Sequence, residues 1–281
     1  MRIVVGCVAE NCPKYLDQAL RLLQSWRWFA GELSDSEFHV CVVDDVSSEY
    51  RKRYENYGAQ VDIVPRFSKA HPQSNKLRFL ELPIFSDANR IILLDCDIVV
   101  VQEPLELISE TDFVGKIADL PTVTAEIFQS LFSLYELPLP EANQRCSVRG
   151  HPIIPYFNAG VLSFSYKSMS SLVPEWIRIN RNLAEEHLDI LENCSNFCEQ
   201  ASLSLALVSS GTSFETLTNK FNFPVHCQNE PLDSNLGKTD PAILHYHWLV
   251  DDQGLLLPSP YPMTNFRIES FNNRIRQERK V

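Results

Sequence analysis

The stretch "RIILLDCDIVV", residues 90–100, sets two aspartates one residue apart inside a run of aliphatics that should otherwise be buried. Read as one strand, the run alternates its side chains, so Asp95 and Asp97 point to one side and Cys96 to the other. Two neighbouring carboxylates repel, and desolvating them costs several kcal/mol per ion unless a cation or hydrogen bonds compensate. A divalent metal is the natural partner: carboxylate oxygens suit Mg²⁺ or Mn²⁺, and an added imidazole favours Mn²⁺. Such an ion, held by few protein ligands, leaves positions for substrate phosphates. The plainer alternative is a pair of strand-capping aspartates that accept from loop amides.

Upstream of this run, apolar segments alternate with helical ones. "RIVVGCV" precedes "AENCPKYLDQALRLLQSWRWF", where Leu16, Ala19, Leu20, Leu23 and Trp26 recur at helical spacing after Pro13. "FHVCVVDD" repeats the apolar run, "SSEYRKRYENYG" reads as a charged helix stopped by Gly58, and "AQVDIVP" is a third strand. A helix around "NKLRFLEL" leads into the opening stretch as strand four. Strands apolar on both faces, alternating with helices, predict an α/β fold with a Rossmann-like, mostly parallel sheet flanked by helices. Ligands of such sheets sit at the carboxyl ends of the strands, where Ala9 to Asn11, Asp44 with Asp45, and Asp95 with Asp97 fall.

Beyond residue 110, "DFVGKIAD" and "YFNAGVLSFSY" read as strands, and "SLVPEWIRINRNLAEEHLDILE" and "CEQASLSLALVSS" as helices. Without a low-complexity linker or repeat, residues 1–281 are expected to form a single domain. It comprises a nucleotide-binding half (about 1–110), an acceptor and catalytic half (about 111–250) and a C-terminal extension (251–281).

A chain of 281 residues with 44% hydrophobic content can bury a substantial core. Its net charge of −11 argues against nucleic acid as a partner and implies that an anionic ligand needs a bridging cation. The eight cysteines follow no extracellular spacing and read as reduced thiols. Cys194 and Cys198 have helical zinc-pair spacing but no matching second pair. The start "MRIVVGCVAE" is too short for a signal-peptide core and no later run matches a membrane span, so the expectation is a soluble, cytoplasmic protein. "FRIESFNNRIRQERKV" carries five basic residues, with Ile268, Phe271 and Ile275 at helical spacing. It reads either as an amphipathic foot on the inner face of an anionic membrane or as a terminal helix packed on the body.

The segment "NKLRFLELPIFSDANRIILLDCDIVVVQEPLEL" resembles the Asp-x-Asp region of GT-A fold glycosyltransferases, most of all retaining glycosyltransferase family 8, the glycogenin and lipopolysaccharide galactosyltransferase group. "YFNAGVLSFS", "CEQASLSLAL", "LTNKFNFPV" and "ILHYHW" resemble further family segments in the family's order. The resemblance implies a metal-dependent hexosyltransferase that takes its sugar from a nucleoside-diphosphate donor, a UDP-sugar above all. The acceptor would be an unidentified carbohydrate, lipid or protein, and the sugar would transfer with retention. By position it implies Asp95, Asp97 and His245 as ligands of Mn²⁺ or Mg²⁺, and Ala9 and Asn11 beside the base and ribose. Lys76 falls near the donor, and Asp44 and Cys96 fall in the cofactor-binding segments. Asn158 would bond the donor sugar, and Glu199 and Gln200 would flank the anomeric carbon.

Each assignment has a structural counterpart. Asn158 could be an ordinary strand-end residue, and Lys76 and Arg78 could lie on a solvated helix face. Glu199 could be an exposed helix-start acid. His245 and His247 would share one side of a strand, so either could be the ligand. The sequence also departs from the family: after the closing histidine the expected lysine clamp is missing, and Asp251 and Asp252 stand there. Two other classes fit part of the pattern. A haloacid-dehalogenase-type phosphatase uses an Asp-x-Asp at the end of its first strand, and a catalytically inactive glycosyltransferase-like binding protein would keep the pocket without turnover.

Overall fold

The computed structural model describes residues 1–227 and 234–280, apart from the side chains of 234 and 235. Its strands are β1 (Ile3–Ala9), β2 (Glu37–Val43), β3 (Ala59–Val64), β4 (Arg90–Leu94), β5 (Ile98–Val100), β6 (Phe113–Ile117), β7 (Gln144–Arg145), β8 (Pro152–Ile153), β9 (Phe157–Ser165), β10 (Phe214–Leu217), β11 (Phe223–Pro224) and β12 (Ile243–His245). Its α-helices are α1 (Pro13–Phe29), α2 (Ser48–Glu55), α3 (Leu77–Leu80), α4 (Ala125–Leu134), α5 (Leu172–Glu186), α6 (Cys198–Ser210), α7 (Ser234–Lys238) and α8 (Pro262–Glu278).

Seven strands form the central sheet in the order β10-β6-β9-β4-β1-β2-β3. The four strands of the first hundred residues run parallel, as β6 and β10 do, while β9 is antiparallel to both β4 and β6. This is the expected mixed, mostly parallel sheet. Consecutive residues of its strands feed opposite cores. Val4, Ile91 and Leu93 join one with α5 and α6, while Ile3, Val5, Ile92 and Leu94 join the other with α1. Pro13 opens α1, whose Leu16, Ala19, Leu20, Leu23 and Trp26 are all buried. Ser47 caps α2 by accepting from the Tyr50 N–H. Helix α6 is buried over most of its length and ends at Gly211, whose φ of 62° is the left-handed stop that glycine adopts without strain.

Three expectations change. The helix expected around "NKLRFLEL" is a 3₁₀ turn at Pro72–Lys76 followed by the single turn α3. The Asp-x-Asp does not lie within a strand: β4 ends at Leu94, and residues 95–97 form a turn into β5. The alternation argument for Asp95 and Asp97 therefore fails, because the chain leaves the ladder where the carboxylates begin. Third, β5 departs from the main sheet to pair with β12 and β11 in a small second sheet. That sheet, with α8, encloses a third core that takes in Ile268, Phe271 and Ile275. The apolar face of the C-terminal segment thus packs on the body and is not presented to a membrane; Val281, its last residue, lies outside the described residues. Among the described residues, no helix is long and apolar enough to cross a membrane.

Candidate active site

The carboxyl ends of β1 and β4, the 3₁₀ turn before α3, the amino end of α6 and the segment after β12 surround a cavity of about 490 Å³. Three strand-end regions expected to converge do so unequally. Glu10, immediately after β1, lines the cavity, its carboxylate gripped by both Arg66 nitrogens at 2.9 and 2.7 Å and by the Asn75 amide at 2.5 Å. Asp44 lies outside the lining, with 60% of its side chain exposed and Arg66 at 3.5 Å.

The Asp-x-Asp turn separates its two carboxylates. Asp95 accepts from the Lys76 ammonium at 2.6 Å, and Lys76 also lies 3.3 Å from the Ala159 carbonyl and 3.8 Å from Glu199. Burial would lower the Lys76 pKa, but the charges of Asp95 and Glu199 outweigh it and raise it, so the ammonium stays charged. Asp97 meets two imidazoles: its Oδ1 is 3.1 Å from His245 Nε2 and its Oδ2 is 3.2 Å from His247 Nδ1. Burial would raise the Asp97 carboxyl, yet the charge and hydrogen bond of His245, then those of His247, hold it well below the usual carboxylate range. The donor atoms of Asp97, His245 and His247 all lie within 4.8 Å of one another.

A backbone group fixes the state of His245. The Gly160 N–H donates to Asn158 Oδ1 at 2.9 Å, which orients that amide. The same oxygen accepts from Asn222 Nδ2 at 2.8 Å, which leaves Asn222 Oδ1 as the acceptor 2.7 Å from His245 Nδ1. His245 therefore donates through Nδ1 and, when neutral, turns the lone pair of Nε2 toward the Asp97 oxygen. Two acceptors 3.1 Å apart need a proton or a cation between them. Without an ion a proton must serve, and the His245 pKa is accordingly raised: Asp97 outweighs the lowering effect of burial. This donor set fits a divalent transition ion. Gly160 leaves room for the Asn222–His245 contact, since a Cβ there would sit 3.0 Å from both Asn222 Nδ2 and His245 Cε1.

The sequence of the Rhodobacterales glycosyltransferase domain family matches residues 7–211, well over half of the chain. The chain belongs to that family. No curated protein matches it in sequence. Solved structures share its fold. The galactosyltransferase LgtC, in complex with donor and acceptor sugar analogues, superposes with a TM-score of 0.60 at 15% identity, over 98% of this chain and 95% of LgtC. Mouse xyloside xylosyltransferase 1 gives 0.53 at 12% identity, over 88% of this chain and 98% of that protein. The glycosyltransferase GlyE of Streptococcus pneumoniae gives 0.52 at 14% identity, over 99% and 64%. The fold is GT-A, as expected, and membership in a glycosyltransferase family sets the phosphatase alternative aside.

In this glycosyltransferase, Lys76, Asp95, Cys96, Asp97, Asn158, Glu199, Gln200 and His245 line one cavity, together with His247. Ala9 and Asn11 do not: Ala9 is buried in β1 and Asn11 is exposed, while Glu10 between them faces the cavity. Cys96 is a thiol, its pKa raised mainly by burial, with its Sγ 3.6 Å from the Gln18 side-chain oxygen Oε1. Glu199 and Lys76 are not on solvated faces; both side chains are nearly enclosed. Cys194 and Cys198 form no pair: the first donates to the Thr122 carbonyl and the second lies near Asn180. Sequence reading gave no role to Glu10, Arg66, Asp119, Asn222 or His226, all in or beside the site. Asp119 ends "DFVGKIAD", so strand-end position was its available signal, whereas Asn222 lies just before β11 and had only its place inside the quoted "LTNKFNFPV".

Proposed function

We propose that this glycosyltransferase moves a sugar from a nucleoside-diphosphate donor, a UDP-sugar above all, to an acceptor hydroxyl, with a divalent ion bound and with retention. The observation that carries the reading is one cavity that joins an ion-binding pair, Asp97 and His245, to a fixed cation, Lys76, and to Asn158, Glu199 and Gln200. The ion would neutralise charge developing on the departing diphosphate. Lys76, enclosed and paired with Asp95, supports the same charge from a position set before substrate arrives. Asn158 Nδ2, held only weakly at 3.5 Å from Asp119, has an N–H to donate to a sugar hydroxyl while its oxygen stays anchored. Glu199, enclosed between Lys76 and His71, presents a carboxylate beside the reacting carbon. The diphosphate, as the leaving base, takes the acceptor proton, so no protein nucleophile is required.

The test is the thermal midpoint with UDP, GDP or inorganic phosphate, each with and without Mn²⁺. A ligand bound only by the native state stabilises it by about 2.7 kcal/mol at a hundredfold excess over Kd. A UDP shift that requires Mn²⁺ and disappears in Asp97→Asn, with the unliganded fold intact, is the expected result. A GDP shift would reassign the donor. A normal Mn²⁺-dependent shift in Asp97→Asn would remove Asp97 from the metal site, a UDP shift that does not need Mn²⁺ would remove the metal role, and donor binding without transfer to any acceptor would leave the inactive binding protein.

A further inference from the structure

We propose that the third protein ligand of the ion is His247 and not Asp95, and that the resulting set of two imidazoles and one carboxylate selects Mn²⁺ and related transition ions against Mg²⁺. The proposal rests on the metal-dependent reading above. Asp97, His245 and His247 form the one cluster of acidic, histidine or cysteine groups with metal-site spacing among the described residues. Asp97 places one oxygen against each ring, at 3.1 and 3.2 Å. Asp95 is engaged elsewhere: its Oδ1 receives Lys76 at 2.6 Å, and Lys76 is held in place by the Ala159 carbonyl.

The backbone supplies an independent argument. His247 has φ of 53°, a left-handed conformation that residues with a Cβ avoid unless their surroundings enforce it. Gln18 Nε2 enforces it by donating to the His247 carbonyl at 3.1 Å. The strand has ended at His245, so this turn is what brings the second ring back to Asp97. The ring is then held between Trp248, stacked at 5.5 Å, and His226, edge-on at 4.3 Å. Imidazole nitrogen suits first-row transition ions, whereas Mg²⁺ demands near-ideal octahedral oxygen and parts reluctantly with its waters. Two nitrogens and one carboxylate on one side of an ion leave the opposite side open for diphosphate oxygens.

The experiment uses the full chain with MnCl₂ alone and then with UDP. It reads affinity by calorimetry and nitrogen ligation by electron spin-echo modulation of bound Mn²⁺. The wild type should show two imidazole nitrogens. His247→Gln should show one and bind at least about tenfold more weakly, whereas Asp95→Asn should keep both nitrogens. A tenfold excess of MgCl₂ should fail to displace Mn²⁺. A single nitrogen in the wild type, an unchanged signal in His247→Gln, loss of binding in Asp95→Asn, or displacement by Mg²⁺ would each overturn the proposal. The wild-type count needs no variant and so stands even if a variant misfolds. Absence of Mn²⁺ binding by the wild type, with or without UDP, would overturn the metal-dependent reading together with it.

Discussion

Asn222 carries no reactive group, yet it determines which nitrogen of His245 holds the proton. Its backbone is left-handed, at φ 61°, so Asn222→Gly removes the side chain without straining the chain. Losing such an outer partner of a metal-binding histidine typically costs 10–100-fold in affinity. We expect Asn222→Gly to weaken Mn²⁺ by about that factor in a calorimetric titration, with secondary structure unchanged; undiminished affinity would show that Asp97 alone fixes the ring. The same residue shows why part of the site was legible and part was not. Asp95 and Asp97 stand out because charge is anomalous in an aliphatic run, whereas a neutral amide after "NKF" is not. Glu10 lies inside the Ala9–Asn11 strand end but was not singled out from Ala9 and Asn11, because side-chain direction at a strand end depends on where pairing stops, and pairing is set by the neighbouring strands.

At the scale of elements, helical periodicity identified Ile268, Phe271 and Ile275 but could not say what they face. The second sheet answers it: β5, β11 and β12 have only two or three residues each, too short for any pattern, yet they create the surface on which α8 packs. Phe271 is fully buried against Trp28, at a ring separation of 6.2 Å, whereas Phe266 is 65% exposed. Phe271→Ala should therefore cost about 3–5 kcal/mol and Phe266→Ala less than about 0.5 kcal/mol, compared by urea denaturation. Equal costs would mean that α8 does not contribute to the cooperative core. Deleting residues 266–281 would remove this packing, so a vesicle assay on the deletion would confuse unfolding with loss of membrane contact. Arg274 and Arg276, on the exposed face, are the substitutions that separate the two.

For the molecule as a whole, the parallel half was readable because strands covered on both faces are apolar without alternation, and four of them recur between helices in the first hundred residues. The antiparallel insertion of β9 was not, since its partners β4 and β6 are separated from it by long stretches of chain. One buried group within that parallel half ties global stability to pH. His39 on β2 has no exposed side-chain surface and bridges Asp62 on β3, at 2.7 Å, and Glu37, at 3.0 Å. Burial would lower its pKa, but hydrogen bonds to Asp62 and then Glu37 raise it above the ordinary 6.5. A raised folded value means that the stabilisation is complete below the unfolded pKa and is lost as pH rises through the folded one. Glu37 does the opposite: burial would raise it, but His39 and Arg2 lower it below 4.5, so its contribution is present above that value and lost as pH falls through the folded one. The pair therefore stabilises the sheet most between about pH 4.5 and 6.5. Replacing the ring by an amide, His39→Gln, keeps a polar group but removes the titration. The difference in unfolding free energy between wild type and His39→Gln should be largest near pH 6 and shrink toward pH 9. A difference independent of pH across that range would mean that His39 stays neutral and acts only by packing.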